Sequence, residues 1–365
     1  MSEMSLTSTA LEPPKGTPWL RRVLTVYGML VLVVLLFVVF SLARPETFPT
    51  LTNFTVLASG NSTLFILALA ATVPMIAGKI DLSFGYGVGL WQVMALKFQL
   101  QGLDYRLVIL LVLVGGCLVG LCNAMLVELA RVDAFIATLA TGQVIFSITY
   151  WVTGGRQITD ARGQRAAGFD QLASWHVGPV PGPFIIAVLI GVLMWTAFEF
   201  LPVGRYLYAI GANPRAAELV GINRRKYVFG AMVTAGLLTG VAGILLSSRQ
   251  TGVAQANIGP EYLLPALTAA FLGSTTIRPG RVNIAGTVVG VFIATIGISG
   301  LGQLLPGKFF LEPLFNGLTL VAAITIASLA SRRRLARAAV PVAAASDAGA
   351  PPPATAQEHS AGVRA

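Results

Sequence analysis

The chain has 365 residues, of which 55% are apolar and only 11% are charged, whereas an ordinary soluble domain carries about 25% charged residues. This composition excludes a water-soluble globule. The two cysteines, Cys117 and Cys122, lie five residues apart in one apolar run, which excludes a disulfide framework and a four-ligand zinc site.

The net charge of +10 is compatible with a nucleic-acid partner, but a nucleic-acid binder concentrates its cations on one surface. Here the cations fall between apolar runs instead. We therefore expect no nucleic acid as a partner, and neither a metal nor a cofactor.

Apolar runs recur from Val23 to Leu329 and indicate a single polytopic membrane unit. A membrane-spanning helix needs about 20 mostly apolar residues, and polar or Gly/Pro interruptions divide the chain accordingly. The sequence predicts an all-α transmembrane fold with ten helices, at 22–42, 54–78, 84–98, 107–128, 133–153, 183–201, 227–247, 261–276, 283–303 and 309–330. Because the third and eighth are short, eight full spans with two broken or re-entrant segments is the alternative.

The first predicted helix resembles a secretion signal, because Arg21 and Arg22 precede it and 41–43 resembles a cleavage site. Its apolar stretch is longer than the usual 7–15 residues. We interpret it as an uncleaved helix.

The distribution of positive charge predicts the orientation, since Lys and Arg favour cytoplasmic loops. With ten spans and the N-terminus inside, 17 of the 25 Lys and Arg residues are cytoplasmic and eight are external. Both termini are therefore predicted in the cytoplasm. Residues 1–20 are predicted to be a disordered N-terminus, 21–331 the transmembrane domain, and 332–365 a basic and then Ala/Pro-rich disordered tail.

Residues 77–87 break the apolar stretch between the second and third predicted helices. A charge at the bilayer centre costs about 2.5–3.5 kcal/mol, so Lys79 and Asp81 are expected at a helix end, or facing a cavity or partner. Asp81 either caps the following helix or lies on a transport path. Residues 272–290 interrupt the second half in a similar way, and such paired interruptions can mark broken helices at a transport path. A plain cytoplasmic turn explains the second interruption equally well.

The cytoplasmic loop 202–226 contains a predicted two-turn helix. Asn213 suits the N-cap, Pro214 the first helical position, and Gly221 the left-handed position just past the end. So short a helix is marginal alone in water, and we expect it to dock either on its own membrane domain or into a cytoplasmic partner. The candidate docking residues are Asn213, Pro214, Ala216, Ala217, Glu218, Gly221 and Ile222.

Several polar residues fall within predicted helices and are candidates for lining a transport path. Each is alternatively a packing residue between helices. Because the spans supply few fixed charges, the cargo is expected to be neutral, and a proton-coupled carrier is disfavoured. The candidates are Asn61, Ser62, Thr63, Asp81, Gln92, Asn123 and Gln143.

The sequence has no phosphate-binding loop, because Gly78-Lys79 and Gly307-Lys308 are followed by Ile80 and Phe309, where the motif requires Ser or Thr. We also find no catalytic constellation. His176 lies in a predicted external loop and is expected to be a solvated surface residue.

Four segments resemble the permease subunits of bacterial ATP-binding cassette (ABC) importers of the ribose, xylose and arabinose type. Residues 78–85 read Gly-Lys-Ile-Asp-Leu-Ser-Phe-Gly, where that family has Gly-Gly-Ile-Asp-Leu-Ser-x-Gly. Phe-Ile-Ala-Thr-Leu stands at 135–139 and Thr-Gly-Gly at 153–155. The most specific segment is Gly-Arg-Tyr-Leu-Tyr-Ala-Ile-Gly-Ala-Asn at 204–213. The resemblance covers roughly residues 25–330.

The resemblance implies a multi-pass protein of the bacterial inner membrane that pairs with a second permease subunit, as a homodimer or a heterodimer. It implies two cytoplasmic ATP-binding cassette subunits, to which residues 213–222 couple, and a periplasmic binding protein that delivers sugar. Such a subunit is not an enzyme, and its path opens to alternate sides as the partners hydrolyse ATP.

Two departures from the family pattern leave the exact sugar open. Lys79 replaces a glycine, and Tyr-Leu-Leu-Pro-Ala at 262–266 replaces Tyr-Glu-Leu-Asp-Ala. The same machinery with another cargo, such as a branched-chain amino acid or a signalling furanone, is the leading alternative. An ion-coupled carrier, which would need no ATPase, is the other.

Overall fold

The computed structural model describes residues 19–278 and 280–347, and the side chains of 27–278 and 280–329. Within this part the chain is almost entirely helical. The ten long helices are α1 (Trp19–Ala43), α2 (Leu51–Ile76), α3 (Ser83–Leu100), α4 (Tyr105–Glu128), α5 (Ala134–Thr153), α7 (Gly182–Phe200), α10 (Arg224–Arg249), α11 (Ile258–Gly273), α12 (Ile284–Leu304) and α13 (Leu311–Asp347). The three shorter ones are α6 (Ala167–Ser174), α8 (Pro202–Ala212) and α9 (Pro214–Leu219).

Seven helices are long and apolar enough to cross a membrane: α2, α4, α5, α7, α10, α12 and residues 311–329 of α13. The described apolar part of α1, Tyr27–Ala43, is shorter. Helices α3 and α11, with 18 and 16 residues, correspond to the two predicted spans that were short in the sequence. The all-helical, multi-pass class is thus confirmed, whereas the number of full spans stays a prediction.

Helices α2 and α10 form the centre of the bundle. Of their apolar windows, 72% and 67% are buried, against 11% for α13. Helix α10 packs closely on α4 through glycines: a Cβ atom added at Gly236 would lie 2.2 Å from the carbonyl oxygen of Gly116. Small residues allow this approach, as is typical of helix pairs in membranes.

One end of the bundle, which we call the α9 face, gathers α8, α9, the turn 77–82 and the loop 274–283. Arg224 at the start of α10 lies 3.0 Å from Glu128 at the end of α4. The Arg281 guanidinium lies 4.1 Å from the ring centroid of Tyr208 in α8. These contacts bring the ends of α4 and α8 and the starts of α10 and α12 to the same face.

The opposite end, which we call the sheet face, carries four two-residue strands: β1 (Ile158–Thr159), β2 (His176–Val177), β3 (Val180–Pro181) and β4 (Val253–Ala254). Strand β1 pairs with β4, and β2 with β3, both antiparallel. The Thr47 hydroxyl, in the loop after α1, donates a hydrogen bond of 3.0 Å to Gln303 Oε1, near the end of α12. The described loops thus lie at two ends of the bundle, and which end faces the cytoplasm stays a prediction.

The Asp160 carboxylate orders the loop after β1. It accepts hydrogen bonds from the backbone nitrogens of Gln164, at 2.8 Å, and Arg165, at 3.0 Å. The Gln164 N–H is the main reason why the pKa of Asp160 lies below its usual value.

The last helix extends further than the sequence predicts. Helix α13 continues to Asp347, so residues 332–347 of the predicted tail are helical. The Ala, Arg and Leu residues that dominate this stretch have high helix propensity, which extends a helix already begun by the preceding apolar residues. The predictions for 1–18 and 348–365 concern residues outside the described part.

Candidate functional site

Helix α9 is present where the capping pattern predicts it. Asn213 Oδ1 accepts a hydrogen bond from the Ala216 nitrogen at 3.1 Å, and Pro214 occupies the first turn. At the other end, Gly221 has a φ of +83°. The backbone nitrogen of Ile222 donates to the Ala217 carbonyl at 3.0 Å, which closes the helix. The local sequence is thus sufficient to begin and end this helix.

The exposure of α9 divides the predicted docking residues. Ala217 is 3% exposed and packs into the bundle core, while Ile222 is partly buried against that core. The remaining predicted docking residues are exposed: Asn213, Pro214, Ala216, Glu218 and Gly221.

The largest exposed apolar surface of this segment belongs to two residues that the sequence analysis did not single out. Leu219 is 88% exposed and Val220 is 76% exposed. The signal was available in the sequence, because Leu219 and Val220 are two consecutive bulky apolar residues directly before Gly221. Together they form what we call the apolar tip of α9.

The turn 77–82 lies beside α8 and begins α3. A Cβ atom at Gly211 would be 2.2 Å from the carbonyl oxygen of Ile76, and Gly78 adopts a φ of +73° next to Gly211. The end of α8 and the end of α2 are therefore in direct backbone contact.

Asp81 is buried, with 3% exposure, and acts as a cap for α3. Its Oδ1 atom accepts hydrogen bonds from the backbone nitrogen of Ser83 at 2.8 Å and from the Ser83 hydroxyl at 2.7 Å. Asn123 Nδ2 donates to that hydroxyl at 2.7 Å, and Thr141 donates to Asn123 Oδ1 at 2.7 Å. This polar network joins the first turn of α3 to α4 and α5.

The other path candidates do not converge with this network. The Asn61 amide donates a hydrogen bond to the Leu57 carbonyl, and the Ser62 hydroxyl donates to the Ala58 carbonyl, both within α2. These bonds satisfy one side-chain donor of each residue within α2 itself. Thr63 is buried in the same helix. Asn61 also borders a largely apolar cavity of about 490 Å³ between α1, α2, α7 and α12.

Gln92 and Gln143 occupy two further places. Gln92 is fully buried and donates to Gln250, while its Oε1 atom has no hydrogen-bond partner among the described residues. Gln143 is exposed on α5, donates to the Tyr86 hydroxyl at 3.0 Å, and borders a surface hollow together with Ser147. Of the seven candidates, Asp81 and Asn123 belong to one hydrogen-bonded network, which Ser83 completes. The other five lie elsewhere in the bundle.

Leu263 and Pro265, which stand where the family pattern has acidic residues, belong to the part of α11 that lies against the start of α3. Leu263 is half-buried, and a Cβ atom at Gly85 would lie 2.7 Å from the Leu263 Cβ. Pro265 is buried within α11. Packing, rather than charge, joins α11 to α3 here.

A bundle with seven helices long and apolar enough to cross a membrane, among the residues that the structure describes, has the architecture of a multi-pass membrane protein. A family model described as "Branched-chain amino acid transport system / permease component" matches residues 53–330. The chain belongs to this family. It is a transport subunit and not an enzyme.

Individual relatives agree with the family. The ribose import permease protein RbsC of Haemophilus influenzae is 32% identical over 71% of this chain and 80% of its own length. The galactose/methyl galactoside import permease protein MglC of the same organism is 28% identical over 88% and 98%. The autoinducer 2 import system permease protein LsrD of Escherichia coli is 33% identical over 62% and 69%. No solved structure matches the chain significantly. The resemblance to permease subunits of sugar importers is thus confirmed.

Proposed function

We propose that the chain forms part of the translocation path of an ATP-driven importer for a neutral sugar or polyol in the bacterial inner membrane. In this proposal the α9 face, and with it both termini, is cytoplasmic. A periplasmic binding protein delivers the cargo to the sheet face. The observation that carries the proposal is the apolar tip of α9, Leu219 and Val220, exposed on a helix whose two ends are capped.

The apolar tip supports docking to a cytoplasmic partner. Two apolar side chains exposed side by side outside the membrane gain free energy when a partner covers them. The helix that carries them is held by the Asn213 cap and by burial of Ala217, so it can move as one body. In our proposal this helix seats in a groove of an ATP-binding cassette subunit and couples ATP hydrolysis to the membrane domain.

The exposed face of α5 supports pairing with a second permease subunit. Gln143 and Ser147 lie one turn apart on this face, and Trp151, one turn further, is 83% exposed. An exposed amide is unfavourable against lipid, and polar residues of membrane helices usually face protein or a water-filled path. We infer that this face meets the second subunit, identical or different, and that the path runs between the two.

A neutral cargo is supported by the scarcity of fixed charge along the helices. Asp81 is occupied as a cap, and 262–266 contributes Leu263 and Pro265 in place of acids. Amides and hydroxyls such as those of Gln143 and Ser147 suit the hydroxyl groups of a sugar. The relatives named above, whose names refer to ribose, galactose and autoinducer 2, agree with a small polar cargo.

The test is affinity purification of the tagged chain from its native membrane, followed by an ATPase assay and reconstitution into vesicles with the periplasmic fraction. We expect an ATP-binding subunit to copurify, and uptake of radiolabelled ribose or galactose to require ATP. Leucine and ribose 5-phosphate serve as the competing cargo classes. Preferred uptake of either one would contradict the neutral-sugar assignment, and ATP-independent uptake without a copurified ATPase would contradict the importer mechanism.

A further inference from the structure

Four side chains of alternating charge form a chain of ion pairs on the α9 face. Lys79 Nζ lies 3.8 Å from Glu128 Oε1, and Arg224 Nη2 lies 3.0 Å from Glu128 Oε2. Arg224 Nε then lies 3.0 Å from Glu218 Oε1. Each residue belongs to a different element: the turn 77–82, α4, α10 and α9. We call these four residues the ion-pair chain.

Glu128 is the fully buried member of the ion-pair chain, since its side chain has no exposed surface, and it pairs with both Lys79 and Arg224. Burying a carboxylate costs several kcal/mol unless it is compensated. Neither carboxylate oxygen accepts a hydrogen bond of regular geometry from the described residues. The compensation therefore comes from the two cations, and displacing either one would leave a buried charge under-compensated.

Two contacts connect the turn 77–82 to its surroundings: the ion-pair chain ends on Lys79 within the turn, and α8 lies against the turn at Gly211. Gly211, two residues before Asn213, lies against the carbonyl of Ile76 and against Gly78. The segment that carries α9 is thus connected to this turn twice, once through backbone contact and once through Lys79.

The turn 77–82 leads directly into the buried polar network. Asp81 caps α3 through Ser83, and Asn123 continues the hydrogen bonds toward α5. Because Lys79 lies two residues before Asp81, a displacement of Lys79 would shift the carboxylate that caps α3. Further along α3, Tyr86 accepts a hydrogen bond from Gln143 on the exposed face of α5.

We propose that the ion-pair chain transmits displacement of α9 to the turn 77–82, and so to α3 and the exposed face of α5. Lys79, Glu128 and Arg224 act as positioning residues, since they lie behind α9 rather than on its apolar tip. This inference rests on the proposed coupling of α9 to an ATPase. It assigns the route of the motion within this chain.

The experiment uses the purified complex of permease and ATPase, in which Cys117 and Cys122 are replaced by alanine. Ser147→Cys, exposed one turn from Gln143 on the same face of α5, provides a reporter and leaves the Gln143–Tyr86 hydrogen bond in place. The probe is a maleimide, and its labelling rate is compared between the nucleotide-free complex and the complex trapped with ATP and vanadate. Lys79→Met is expected to reduce the nucleotide-dependent change in labelling rate at least about tenfold, a typical size for a coupling free energy between two sites. In the Lys79→Met variant, the amount of copurified ATPase and its basal rate of ATP hydrolysis are expected to equal those of the parent complex.

Lys226→Met is the matched control, because Lys226 is exposed at the same face and its ammonium makes no ion pair within the described residues. It removes the same charge and should behave as the parent. A complex in which all four charges are inverted, Lys79→Glu, Glu128→Lys, Arg224→Glu and Glu218→Lys, keeps the net charge and the alternation. We expect it to restore the change in labelling.

The outcomes separate this inference from the proposed function. A parent-like labelling change in Lys79→Met would overturn the inference, as would loss of the ATPase from that variant, which would make Lys79 a docking or folding residue. A soluble, assembled inverted complex without restored labelling would also overturn it. Absence of a copurified ATPase from the parent chain would instead contradict the proposed function.

Discussion

The side-chain amide nitrogen of Asn123 in α4 lies 2.7 Å from the hydroxyl oxygen of Ser83, the first residue of α3. Because the same hydroxyl donates to Asp81, this one contact joins the α3 cap to a neighbouring helix. Both Asn123 and Ser83 are buried, with 0% and 3% exposure. The contact therefore sets the position of α3 relative to α4 without competition from water.

The first prediction concerns the stability of this network. Asn123→Ala removes the bonds to Ser83 and Thr141 and should lower the unfolding free energy by about 1 kcal/mol, the order found for interhelical hydrogen bonds in membranes. The measurement is the Tm of the detergent-solubilised protein. Asn61→Ala is the control, because the Asn61 amide bonds only a carbonyl of its own helix. Equal Tm values for the two variants would contradict a linking role for Asn123.

The second prediction concerns the end of α9. A Cβ atom at Gly221 meets no neighbour, so Gly221→Ala should act only through the φ of +83°, at about 1–2 kcal/mol for a left-handed L-residue. We expect the exposed end of α9 to unwind locally and so relieve the strain, which lowers the amount of copurified ATPase while the Tm of the bundle changes little. Gly230→Ala is the matched control, because its Cβ also has open space but lies inside α10. If Gly221→Ala retains the ATPase as well as Gly230→Ala does, the left-handed end is unimportant for docking.

The third prediction tests the apolar tip. Leu219→Ser and Val220→Ser should together weaken ATPase binding by about tenfold or more, since fully burying a Leu or Val side chain contributes about 1.5–3 kcal/mol. Insertion and Tm should be unchanged, because both side chains are exposed. Binding is measured by titrating purified ATPase onto the permease in detergent. The control, Leu305→Ser, removes an exposed leucine at the sheet face. Similar affinities in both variants would place docking elsewhere.

The fourth prediction concerns orientation. In a background with Cys117→Ala and Cys122→Ala, we expect a membrane-impermeant maleimide to label Thr159→Cys in intact cells and Arg215→Cys only after permeabilisation. Both positions are exposed, Thr159 in β1 at the sheet face and Arg215 in α9. Because both positions are exposed, only the membrane between the two faces would keep the reagent from Arg215→Cys in intact cells. Labelling of both in intact cells, or the reverse order, would rule out a cytoplasmic α9 face.

Local patterns in the sequence were sufficient for the helices and for the ends of α9. Each long predicted helix corresponds to one in the structure, because an apolar run of this length in lipid must satisfy its own backbone hydrogen bonds. Asn213, Pro214 and Gly221 act on neighbouring backbone atoms, so their residue types alone predicted where α9 begins and ends. The family motifs were recognisable for the same reason, since they are contiguous in the chain.

Tertiary structure decided which way side chains point and which distant residues meet. The sequence left open whether Ala217 faces a partner or packs inward, and only the position of α9 on the bundle buries it while exposing Leu219 and Val220. Asn123 meets Ser83, and Glu128 meets Lys79 and Arg224, across tens of residues of sequence. Such pairs depend on how close the helices pack, as at Gly116 and Gly236, and helical periodicity within one segment contains no information about the neighbour that another segment provides.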